Sequence, residues 1–97
     1  MYYEKTIALI RTAIERKAPG TKPVNSLPEG KQPSLSHILW ACEDIFTLDK
    51  TSYEAAFIAS MRIGWVSAHA ELSGIITSID LRNAVLEDRL NGFDKPH

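Results

Sequence analysis

Cysteine is almost absent from this 97-residue chain. Its single thiol, Cys42, excludes an internal disulfide framework and a metal site built on cysteine alone. Net charge is almost absent too: 11 Lys+Arg oppose 12 Asp+Glu, leaving -1. That balance argues against a chain built to coat nucleic acid or an anionic membrane. No apolar run approaches the roughly 18 residues of a membrane span. The opening Met1-Tyr2-Tyr3-Glu4-Lys5 lacks the roughly 7–15 apolar residues expected of a secretion signal. The expected compartment is therefore the reducing cytoplasm, with no membrane partner. Catalytic signatures are missing as well: no G-x-G-x-x-G, Walker A, nucleophile-elbow, HxxxH, CxxC or ExxH spacing occurs.

What is present is material for a core. Hydrophobic residues make up 44% of the chain, too much for wholesale disorder. A chain of this length buries roughly 60–70% of its extended surface, enough for one domain over 1–97.

The apolar residues follow the helical period. Tyr3, Ile7, Ile10 and Ile14 share one face of a helix over 2–17, and Ala18-Pro19-Gly20 stops it. A second helix starts at Ser34 or Ser36, with Leu35, Ile38, Leu39, Cys42, Ile45 and Phe46 as its stripe and Trp40 to one side. A third starts in the capping-box sequence Thr51-Ser52-Tyr53-Glu54 and runs to about Ser73, ending at Gly74. It carries a bulky face of Ile58, Met61, Trp65 and Leu72 and a row of small residues, Ala56, Ser60, Gly64 and Ala68. A mid-helix glycine costs about 1 kcal/mol against alanine, so Gly64 suggests close packing of another helix, and this helix is expected to be the hub. Thr77-Ser78-Ile79-Asp80 opens a fourth helix with Leu81, Val85, Leu86 and Leu90 as its apolar side. It stops at Asn91-Gly92, before a tail over 93–97. The expected fold is all-α: a small antiparallel bundle of about four helices, with a long Pro-rich loop over 18–33 between the first two.

That loop holds Pro19, Pro23, Pro28 and Pro33, and it exceeds the usual connection of about 4–6 residues. It is either a solvated linker or a binding loop, and it has no PxxP spacing. Charge is split along the chain. Residues 1–33 hold six Lys/Arg against three Asp/Glu, and residues 34–97 hold five against nine. The halves either attract within the fold or pair between subunits.

The candidate chemistry is thin. Cys42 lies on an apolar stripe, where a thiol is ordinarily inert, and His37 is five residues away and poorly aligned with it. His37, His69 and His97 have no metal-ligand spacing, and His69, one turn past Trp65, reads as a half-buried histidine. A helix-turn-helix reading of the last two helices, with Ala70 and Gly74 at the turn, puts Asp80, Glu87 and Asp88 against phosphates, which is unfavourable. No catalytic residue, metal or cofactor is expected.

Ser36-His37-Ile38-Leu39-Trp40, followed by Arg62-Ile63-Gly64-Trp65, resembles a pattern in small uncharacterised phage and prophage helical proteins. The resemblance covers about residues 34–75 and implies a mobile-element origin. Phage proteins of this size commonly act by occluding a host protein, defence nucleases included. The function expected from all of this is a non-enzymatic protein-interaction module that binds and inhibits a host protein. Trp40, Trp65, Arg62, Lys22 and Lys31 are its candidate partner-binding residues. Ala56, Ser60, Gly64 and Ala68 are its candidate dimer-packing row, since a two-fold homodimer is the commonest way to cover apolar surface. The alternative is a small nucleic-acid-associated regulator using the basic residues over 5–31.

Overall fold

In a computed structural model, residues 3–25, 32–48 and 52–94 are described. They form four helices, α1 (Glu4–Lys17), α2 (Leu35–Ile45), α3 (Tyr53–Leu72) and α4 (Ser78–Asp94), with no strand among the described residues. The all-α bundle is thus as the helical periodicity implies.

The starts and stops are chemical. Ser34 caps α2, its hydroxyl accepting from the His37 amide at 3.2 Å. Thr77 caps α4 in the same way, accepting from the Asp80 amide at 3.1 Å. At α3 the cap is Ser52, which accepts from the Ala55 amide at 3.3 Å, in place of the Thr51–Glu54 capping box. Thr51 lies outside the described residues. Gly20 and Gly74 leave α1 and α3 at φ +81° and +78°, a left-handed exit that glycine takes without a Cβ clash. Gly92 does not stop α4, which continues to Asp94.

The core is built on α1. Ile7, Ile10 and Ile14 are buried and meet Ile38, Cys42 and Ile45 of α2 and Val66 and Ala70 of α3. Helix α1 packs against α2, α3 and α4, whereas α3 packs mainly against α2. The hub is therefore α1 and not α3. The reason is visible in α3: its buried stripe is Ala55, Ala59, Val66 and Ala70, mostly small residues that bring it close to its neighbours. The bulky Met61 and Leu72 turn outward, as do Leu86 and Leu90 of α4.

The first turn of α1 has no side-chain cap of its own. Asp88 of α4 supplies one. This carboxylate is buried and accepts from the Lys5 amide (2.7 Å), the Thr6 amide (2.9 Å) and the Thr6 hydroxyl (2.6 Å). A carboxylate over the free N–H groups of a helix start satisfies those donors and suits the helix dipole. This contact locks α4 onto α1.

The loop after α1 is pinned for part of its length. The Thr21 hydroxyl donates to the Ala18 carbonyl, and the Val24 amide donates to the Ser36 carbonyl at 3.1 Å. Lys22 is exposed between these anchors.

Candidate interaction surface

Trp40 and Trp65 come together in one cluster. The His37 ring stacks on Trp40 with centroids 5.6 Å apart, and meets the edge of Trp65 at 5.5 Å. Trp65 in turn packs on His69 at 4.4 Å, one helical turn along α3. The cluster closes the seam between α2 and α3, and both indoles are half-buried in it. Arg62, beside it, pairs with Asp44 of α2. Three of the sequence-selected residues are therefore engaged within the chain. Lys22 stands apart on the loop, and Lys31 lies outside the described residues.

Cys42 is sealed in the core. Burial pushes its thiol up to about 12, the nearby Arg11 pulls it down, and Glu43 adds to the rise. A buried thiol held neutral at physiological pH is a poor nucleophile. Among the described residues, no group of three or more His, Cys, Asp or Glu is placed to hold a metal ion. No helix among them is long and apolar enough to cross a membrane.

The basic residues of α1 face acidic ones. Arg11 pairs with Glu43 of α2 at 3.8 Å. Lys5, Arg16 and Lys17 line a groove of about 680 Å³ whose opposite wall carries Asp80 and Glu87 of α4. The charge split along the sequence is thus met, in part, within the fold.

The small-residue row is exposed. Ala56, Ser60, Gly64 and Ala68 all face away from the core, and a Cβ added at Gly64 would meet nothing within 4 Å. Among the described residues no helix packs onto the row at Gly64. Within the row, the Ser60 hydroxyl bonds to that of Tyr3 at 2.9 Å.

Large apolar side chains are exposed on the same helix, α3, and on α4. Among the described residues nine large hydrophobic side chains are exposed, and seven of them are on α3 and α4. On α3 they are Tyr53, Phe57, Met61 and Leu72, and on α4 Ile79, Leu86 and Leu90. At 3.6 residues per turn, each set forms a strip opposite its helix's buried side. A second groove, of about 420 Å³, lies where the start of α1 meets α3 and α4 and is lined by Tyr3 and Thr6, by Ile63 and Gly64 of α3, and by Leu81 and Arg89 of α4. The periodicity places Met61 and Leu72 on a bulky face and Leu86 and Leu90 on an apolar side, without telling which of these is turned outward.

Comparison with protein families, curated proteins and solved structures found no match for the chain.

Proposed function

We propose that this chain is a protein-interaction module that works through the outer face of α3 and α4, with no chemistry of its own. One observation carries the reading: the concentration of exposed large apolar side chains on those two helices. A stable single-domain protein spreads such residues thinly, and a contiguous set marks a surface that another protein covers. The resemblance to phage proteins extends the proposal to a host protein as target, with occlusion as the mode of inhibition and the cytoplasm as the place. A homodimer is the finer form of the same reading. Nucleic-acid binding is less well supported, because Lys5, Arg11, Arg16 and Lys17 face acidic side chains and form no uniform basic patch.

The test is capture from a lysate of the source cells with two immobilised baits. These are the natural chain and a Met61→Lys/Leu86→Lys variant whose fold is checked by circular dichroism. Both substituted positions are exposed, so folding is unaffected. A partner held by the natural chain and lost with the variant supports the reading. Equal capture by both removes the α3–α4 face from it.

A further inference from the structure

We propose that α4 is a detachable arm. It swings off the molecule as one unit, about a hinge over 73–77, while α1, α2 and α3 stay folded, and the Asp88 carboxylate is the latch that holds it closed.

The distribution of buried residues carries this. The buried cluster at the centre of the molecule is drawn from α1, α2 and α3. Its one described member beyond them, Ile76, lies in the turn before α4. No described side chain of α4 belongs to the cluster, and Leu81 only packs against its edge. Within α4 the fully buried side chains among those described are Ala84 and Asp88. An alanine removes little apolar surface from water, so docking α4 gains far less than docking α1, which buries three isoleucines. Ile79, Leu86 and Leu90 stay exposed with the helix docked.

The packing is one-sided. Helix α4 lies on α1 and makes no comparable contact with α2 or α3. Grooves of about 680 and 420 Å³ run along it, one shared with α1 and one where the start of α1 meets α3. An element with few buried apolar contacts opens at lower free energy than the core it rests on.

What specifies the closed position is polar. Asp88 accepts from the Lys5 amide, the Thr6 amide and the Thr6 hydroxyl, and all three bonds are lost together when α4 lifts. At 1.5 Å per residue Asp88 stands roughly 16 Å along the helix from Thr77, so the latch is far from the pivot. At the pivot, Gly74 takes φ +78° and residues 75–77 belong to neither helix. Thr77 caps α4 from the hinge side, so the helix keeps its own start when it swings. The Ser78 hydroxyl donates to Glu71 across the turn, close enough to the pivot for the far end of α4 to leave it intact. Once lifted, α4 presents Leu81, Ala84 and Val85 beside Leu86 and Leu90, an apolar surface larger than the docked helix offers.

The experiment is amide hydrogen exchange of the full chain at neutral pH, read residue by residue by NMR with and without low urea. The slowest amides over 82–90 are expected to share one rate, at least about tenfold faster than those over 10–14 of α1. Their rates should also depend less on urea, because opening the arm exposes less surface than global unfolding. Asp88→Ala is expected to speed exchange over 82–90 by at least about tenfold, and Asp88→Asn, which keeps one acceptor oxygen, by less. Exchange over 82–90 as slow and as urea-sensitive as over 10–14 overturns the arm, and that comparison needs no variant. Rates graded along α4 and unchanged in Asp88→Ala overturn the latch, since fraying from the end of the helix then explains them. Capture through Met61 and Leu86 is independent of both results, because it reports what covers the outer face and not whether α4 moves.

Discussion

Asp88 is the residue on which the placement of α4 turns. Its carboxylate takes three hydrogen bonds from Lys5 and Thr6, at the start of a helix that has no cap of its own. Replacing it with alanine leaves a buried hydroxyl and two helix-start amides without a partner. Asp88→Ala should cost about 2–4 kcal/mol of unfolding free energy, combining a lost cap with buried unsatisfied donors. Asp88→Asn keeps one acceptor oxygen and should cost less. Urea denaturation of both variants measures the difference, and a loss below about 0.5 kcal/mol in the alanine variant would show that the contact is not structural. Nothing in the sequence pointed to this role. Asp88 reads as one more surface acid of a helix, and its partners are 82 and 83 residues away.

Cys42 makes the second residue-scale prediction. Its folded thiol titrates near 12, against 9.0 for an unperturbed thiol. The unfolded chain therefore loses its proton first as pH rises. The stability due to the neutral buried thiol is complete below about pH 9 and is lost progressively between 9 and 12. At pH 10 the loss should be about 1 kcal/mol relative to neutral pH. Cys42→Ala should remove that slope while lowering stability at neutral pH through the cavity it leaves. Matched denaturation curves at pH 7 and pH 10 decide it. A natural chain and a variant with the same alkaline slope would place the loss elsewhere.

At the scale of the helices, legibility depended on how one-sided each helix is. Helix α1 places three isoleucines on one face among charged residues, and all three are buried as the period implies. Helix α2 has a full stripe and an unambiguous serine start. Helices α3 and α4 carry apolar residues on more than one side, so periodicity finds the helix and does not orient it. The bulky side of α3 and its small side are both apolar, and in the structure Ala55, Ala59 and Ala70 are buried while Met61 and Leu72 are exposed. Small residues go inside because α3 lies close to its neighbours, and long ones are left over for an outer strip. This distinction needs tertiary contacts and is not written in the spacing. Gly64 reads as a site of close packing, and among the described residues no helix lies on it.

Gly64 therefore separates intrinsic helix stability from packing. With open space above it in the single chain, Gly64→Ala should raise the unfolding free energy of dilute protein by about 0.5–1 kcal/mol through helix propensity alone. Gly64→Leu should fold equally well when dilute and should weaken association, because the larger side chain fills the low middle of α3. Thermal melts at low and high concentration measure both. A destabilised alanine variant in dilute solution would mean that the space above Gly64 is already filled.

At the scale of the whole molecule, the fold has an inside and an outside that were not evident from composition. Helices α1 and α2, with the buried stripe of α3, account for most of the core. The far sides of α3 and α4 hold much of the remaining large apolar surface. The tryptophans that sequence reading offered for partner binding close the α2–α3 seam, with His37 and His69 between and beside them. Arg11 of α1 pairs with Glu43 of α2, and Lys5, Arg16 and Lys17 share a groove with Asp80 and Glu87 of α4. The proposed interaction uses the outer face of α3 and α4, which should then be covered when the protein works. Hydroxyl-radical footprinting read by mass spectrometry tests this directly, comparing concentrated protein and expressing cells with dilute purified chain. Phe57, Met61, Leu86 and Leu90 should be oxidised several-fold more slowly in the concentrated or cellular sample, while Val24, exposed away from the face, reacts equally in all three. Equal oxidation of the four face residues under all three conditions would show an uncovered face and contradict the account.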